Sequence, residues 1–205
     1  GGTDGNIISY DASGDPVAIA TGNDGQVLTS AGAGAPPVFE DAAGGGRSTL
    51  IKTFTVSDDS TISMVHGTSS VVFDSTYKKY VVDFIDLIPV TDKVVFEFNG
   101  SIDAGSNYNV TKTTSYLQTI GHEWGGGTPT HTIENGYSLA QETTFQTLMT
   151  NLGSASDESG VGSMIFWNPS NTTVVKHFQG SFTYYEGDNY SYLIQVAGYF
   201  NTTSD

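Results

Sequence analysis

The chain has no cysteine, so it has no disulfide framework, no thiolate zinc site and no cysteine nucleophile. Packing, hydrogen bonding or association must stabilise it instead. Basic residues are scarce as well: seven Lys and Arg stand against 22 Asp and Glu, a formal charge of −15 over 205 residues. Duplex DNA and anionic membranes are bound through cationic surface that displaces counterions, so neither nucleic acid nor lipid is expected as a partner. Long apolar runs are missing. The richest, Val81 to Val90, is broken by Asp83, Asp86 and Pro89 and falls short of the roughly 18 residues of a membrane span, so no membrane insertion is expected. The chain begins at Gly1 without a signal-peptide pattern, which reads as a processed protein or a piece of a longer one. What it does hold is 11 Tyr, 11 Phe and 2 Trp, too many aromatics for a disordered composition.

Residues 1–46 differ from the rest. They carry six acids (Asp4, Asp11, Asp15, Asp24, Glu40, Asp41), no Lys or Arg, and much Gly and Ala. They also repeat: Asp4-Gly5-Asn6-Ile7-Ile8-Ser9, with Gly14 and Pro16-Val17 after it, is echoed by Asp24-Gly25-Gln26-Val27-Leu28-Thr29, with Gly34 and Pro37-Val38 after it. Asp-Gly suits a tight turn, and each unit has room for two short strands but few apolar side chains. So little burial does not offset backbone ordering at about 1–2 kcal/mol per residue, and such repeats need neighbours. The expectation is a stalk built by several identical chains. A flexible Gly-rich linker is the alternative, and the matching positions of the aliphatic pairs favour the stalk.

Ala42 to Gly46 reads as a joint, giving two expected domains, 1–46 and 47–205. Beyond it strand patterns dominate. Ile51 to Val56 alternates; Tyr80, Val82 and Phe84 share one face and Val81, Asp83 and Ile85 the other. Val94, Phe96 and Phe98 repeat the pattern before an Asn99-Gly100 turn. Val161 to Trp167, Val174 to Tyr185 and Tyr190 to Phe200 also read as strands. Without βαβ alternation, these predict an all-β, antiparallel, jelly-roll-like β-sandwich. Phe145, Leu148, Met149 and Leu152 lie at helical spacing, with Ser138 and Gln141 as a capping box. Thr143, Thr144, Thr147 and Thr150 oppose a helix, and strand is expected over Thr143 to Met149.

Chemical motifs are few. His122-Glu123-Trp124-Gly125 begins like a zinc-protease helix, but the following glycines and Pro129 break the helix and position 126 is not His. His122 and His131 flank a Gly-rich loop and could approach across a hairpin. No nucleophile elbow, P-loop or dinucleotide fingerprint occurs. Asp157-Glu158 reads as a solvated turn, and Asp103-Ala104-Gly105-Ser106-Asn107 as a plain turn rather than a calcium loop. No catalytic residue, metal ligand or cofactor is expected. The best contact surface is the loop Gly121 to Thr130, where Trp124 can stack on a sugar or anchor a partner; folding back onto the sheet edge is the alternative. Candidate receptor or glycan contacts are His122, Trp124 and Tyr137. Trp167 is expected to pack in the core or at a strand end.

Phe73-Asp74-Ser75-Thr76-Tyr77-Lys78-Lys79-Tyr80-Val81-Val82, then Leu87-Ile88-Pro89-Val90-Thr91-Asp92, then Phe96 to Asn107, resembles a domain common in bacteriophage tail fibres and other virion proteins, especially of marine phages. Gly160-Val161-Gly162-Ser163-Met164-Ile165-Phe166-Trp167-Asn168-Pro169-Ser170, followed by Lys176, is similar to its later half. Asn23 to Ser30, with Gly32, Gly34, Pro36 and Pro37, resembles repeats that precede such domains. The resemblance covers most of the chain and includes no catalytic motif. It implies a non-enzymatic structural protein of the extracellular phage particle, a homotrimer with a thin stalk and a β-sandwich head. Other virion proteins and a host-surface glycan or receptor would be its partners. Proteins of this kind usually close with further Gly-, Ser- and Leu-Tyr-Gly-rich strands, whereas this sequence ends at Asn201-Thr202-Thr203-Ser204-Asp205. The alternative expectation is a secreted carbohydrate-binding β-sandwich module with Trp124 and Tyr137 as its platform. A hydrolase using Asp or Glu is the least favoured reading.

Overall fold

The computed structural model describes residues 5–41, 48–124 and 127–204. The chain divides into two compact units, Gly1–Leu50 and Ile51–Asp205. The expected joint, Ala42 to Gly46, lies outside the described residues.

In the first unit each copy of the repeat folds as a two-stranded antiparallel hairpin. β1 (Ile7–Tyr10) pairs with β2 (Pro16–Ile19), and β3 (Gln26–Thr29) with β4 (Val38–Asp41). The Asp-Gly step opening each copy places its glycine at positive φ, +88° at Gly5 and +86° at Gly25, where a side chain would be strained. Asp11 turns the first hairpin, its carboxylate accepting from the backbone N–H of Ser13 at 2.8 Å and of Asp15 at 3.0 Å. Cross-strand side chains tie the second: Gln26 donates to Asp41 at 3.0 Å and Thr29 to Glu40 at 2.8 Å. Neither hairpin buries its aliphatic pair fully, and Ile8 is 73% and Leu28 45% exposed. A lone two-stranded hairpin is marginal in water.

Among the described residues the second unit has no helix and nine strands: β5 (Lys79–Leu87), β6 (Val94–Phe98), β7 (Lys112–His122), β8 (Thr130–Ile133), β9 (Ala140–Glu142), β10 (Gln146–Leu152), β11 (Gly160–Trp167), β12 (Lys176–Glu186) and β13 (Tyr190–Phe200). All their pairings are antiparallel. The main sheet runs β5-β11-β12-β13-β7-β8, with β9 also beside β7. β6 and β10 pair with each other and join the sheet through one pair, Leu152 with Glu186. They form a ribbon whose Phe96, Phe98, Leu148, Met149 and Leu152 pack into the common core. This all-β arrangement is consistent with a β-sandwich.

The core follows from strand alternation. On β12, Phe178, Gly180, Phe182 and Tyr184 are buried, while His177, Gln179, Ser181 and Thr183 face outward. The set expected on one face of β5, Tyr80-Val82-Phe84, is on the more buried face of that strand, as are Tyr190, Tyr192, Ile194 and Val196 on β13. Phe98 from the ribbon meets Phe178 edge-on at 5.0 Å and Phe200 at 5.9 Å, a favourable aromatic geometry. Glycine is required inside this layer: a Cβ on Gly180 would stand 2.4 Å from the Met164 sulfur.

Several expectations are corrected. Ile51 to Val56 forms no strand; its alternation finds no partner in the sheet. Strand does form where helix and strand competed, but three residues later than expected, as β10, leaving Thr143 and Thr144 outside. Two irregularities in its pairing with β6 break the two-residue period, which accounts for apolar residues at helical spacing. Ser138 caps no helix: its hydroxyl accepts from Tyr116 N and donates to Glu134 O, each at 3.0 Å. Glu158 is buried rather than solvated, accepting from Ala155 N at 2.7 Å.

Candidate contact surfaces

Strand parity separates His122 from its neighbours at the end of β7. His122 pairs across the ladder with Tyr190, and the chain then turns so that Trp124 folds back over both. The three rings meet edge-on in a triangle: His122 to Trp124 at 4.8 Å, His122 to Tyr190 at 5.0 Å and Trp124 to Tyr190 at 4.9 Å. Trp124 is nevertheless 48% exposed, so the indole is both packed and presented. The His122 Nδ1 is buried and meets no hydrogen-bond partner among the described residues. Glu123 points the opposite way and accepts from the Tyr185 hydroxyl. That bond, with further help from burial, pushes the Tyr185 phenol up to about 12. Beside it lies a shallow depression of about 480 Å³ lined by Gly121, Glu123, Val161, Thr183, Tyr185 and Ser191 among others.

The third expected contact residue is elsewhere. Tyr137 packs on Tyr116, ring centroids 5.2 Å apart, and Tyr116 stands six residues before His122 on β7, roughly 20 Å away at about 3.3 Å per strand residue. Tyr137 therefore belongs to a cluster of tyrosines and not to the Trp124 corner. Burial, followed by the negative groups that neighbouring phenols would become, raises the Tyr116 phenol above its ordinary range; burial, followed by the Glu186 carboxylate, raises Tyr192 to about 12. His131 also stays apart from His122. It pairs with Thr119, whose hydroxyl lies 2.8 Å from its Nδ1, and residues 119 and 122 of β7 have opposite parity. Among the described residues no group of three His, Asp or Glu could hold a metal ion. The Asp103 carboxylate is occupied by its own turn, accepting from Ser101, from Asn107 N at 2.8 Å and from the Asn107 side chain. These donors, the Asn107 amide foremost, hold it down to about 2.

A second depression, about 360 Å³, lies at the other end of the sheet's outward face. Thr113, Ser115, Trp167, His177, Gln179, Ala197 and Tyr199 supply its side chains. The register puts His177 opposite Tyr199 and Tyr199 opposite Thr113; in the next row Gln179 faces Ala197 and Ala197 faces Ser115. Small side chains at Ala197 and Ser115 thus make a floor between larger walls. Trp167 was expected in the core or at a strand end. It sits at the end of β11, and the parity of that strand turns it away from buried Met164. Comparison with protein-family models, curated proteins and solved structures finds no match for this chain.

Proposed function

We propose that this protein is a non-enzymatic structural component of a bacteriophage particle, a fibre or appendage with a jelly-roll-like β-sandwich head that serves host attachment or particle decoration. The observation that carries the reading is the pair of hairpins in the first unit. The same turn and aliphatic positions occur twice, in hairpins that leave Ile8 and Leu28 facing water. Three copies of the chain wrapped together would cover such surface and form a thin stalk, with the head held outward for contact. His122 and Trp124 are the contact residues of that head, and a surface glycan or receptor of the host is the partner. Other virion proteins would anchor the assembly, on the outside of the particle, with no part for nucleic acid or membrane. The resemblance of the 73–107 and 160–176 segments to phage fibre domains points the same way. Electron microscopy of the assembled particle with antibody to this chain is the test. Label on threefold appendages is the expected result; particles without label would contradict it.

One observation favours a second reading. The half-exposed Trp124, braced by His122 and Tyr190, suits the sugar platform of a secreted carbohydrate-binding module. In that case the first unit is only a tether and the chain remains a monomer.

A further inference from the structure

We propose that the depression between Trp167 and Tyr199 is a binding site for a neutral oligosaccharide, distinct from the Trp124 corner. The inference rests on the attachment role for its biological sense, but its chemistry stands on the site. Three observations converge on it.

The first is charge. In a chain with 22 carboxylates and seven basic side chains, the residues lining this depression include no Asp, Glu, Lys or Arg. Lys79, exposed and opposite Trp167 in the ladder, stands outside that lining, so an anionic sugar would meet a cation at the outer edge and none within, and a cationic one would meet no carboxylate within. A neutral polyhydroxylated ligand meets matching groups: the hydroxyls of Thr113, Ser115 and Tyr199, the Gln179 amide and the His177 ring. The second is shape. Trp167 and Tyr199 offer aromatic walls, against which the apolar faces of sugar rings pack while their hydroxyls reach polar partners. Ala197, on the floor, is exposed and short, so depth comes from a small residue among large ones.

The third is a strained residue aimed at the rim. Gln141 has φ +59°, a conformation costly for a side-chain-bearing residue and found where surrounding structure enforces it. It lies at a register shift between β7 and β9, and such bulges re-aim side chains. Its amide donates to Thr113 Oγ1 at 2.7 Å and approaches the Tyr199 hydroxyl at 3.4 Å. Asn201 in turn donates to the Gln141 oxygen at 2.7 Å. Gln141 thereby positions both the Thr113 and Tyr199 hydroxyls, and the Tyr199 proton is left to donate outward.

The experiment titrates the full chain with chitohexaose, cellohexaose and maltohexaose as neutral probes and a hexagalacturonate as the anionic one. It is followed by calorimetry and by the emission of Trp167 in a Trp124→Phe background, where Trp167 is the sole tryptophan. At least one neutral probe is expected to bind and shift that emission, and the anionic probe is not. Trp167→Ala should weaken binding by about tenfold or more, and Ala197→Gln, which fills the floor from an exposed position, should abolish it. Gln141→Gly separates positioning from folding: glycine relieves the positive φ, so thermal stability is kept while affinity falls. No neutral binding, stronger binding of the anionic probe, or affinity unaffected by Trp167→Ala and Ala197→Gln would each overturn the site. Binding lost only on Trp124→Ala would assign it to the corner instead. A trimeric chain that binds none of the neutral probes would remove this site and leave the fibre reading standing.

Discussion

Lys112 begins β7 with its side chain fully buried, its ammonium donating to the backbone oxygens of Val110, at 3.2 Å, and Thr144. Burial pushes its pKa down from 10.5 to about 8. The unfolded chain keeps that proton to about pH 10.5 and the folded chain releases it near 8, so between those values the unfolded state binds more protons and stability rises with pH. Tyr192 acts in the opposite sense. Burial raises it to about 12 from 10.0, so above about pH 10 the folded state binds more protons and stability falls. Urea midpoints measured at about pH 7.5, 9.5 and 11.5 should be highest at 9.5. Lys112→Met should remove the rise and spare the fall; an unchanged rise in that variant would contradict the assignment.

Among the elements, the β6–β10 ribbon seals the core, and its worth lies in packing because, among the described residues, one ladder pair ties it to the main sheet. Leu148 is fully buried on it, and Leu148→Ala should cost about 2–5 kcal/mol in chemical denaturation. Gly162→Ala should cost about 1–3 kcal/mol, because its Cβ would stand 2.6 Å from the Ser181 carbonyl oxygen, a backbone atom that cannot swing aside. Losses under about 0.5 kcal/mol, the level of an ordinary surface change, would contradict the layered core. The same elements show what sequence can convey. Strands β5, β11, β12 and β13 were legible because period-two alternation is a local signal that the sheet preserves. β10 was blurred because its bulges insert residues that alternation does not anticipate, and Ile51 to Val56 was misread because alternation cannot report whether a partner strand exists. Of the two readings of Trp124, the fold-back onto the sheet edge is what the structure shows, and the loop alone does not indicate its ring partner Tyr190, which comes from a distant strand. Trp167 stands at a strand end, one of its two expected places, but its outward direction was hidden, because Ile165-Phe166 before it and Asn168-Pro169 after it do not show which way parity turns the last residue of the strand. Tyr137 was assigned to the wrong neighbours because spacing along the chain does not give distance across a sheet.

For the whole molecule, the acidity first seen as an exclusion becomes a constraint on assembly. Residues 1–46 hold six acids and no Lys or Arg, and the remaining residues carry −9. Three such segments side by side repel, and exposed charges repel more strongly when salt is withdrawn. In the proposed trimer the exposed Ile8 and Leu28 would supply the attraction that opposes this. The proposed assembly should therefore strengthen with ionic strength, through both screening of the acids and the persistence of apolar contact. The most direct measurement is sedimentation equilibrium of the full chain across a salt series. The proposed fibre predicts a particle three times the 21.7 kDa chain mass at moderate and high salt, loosening toward smaller species as salt is removed. A 21.7 kDa monomer at every salt concentration would contradict it.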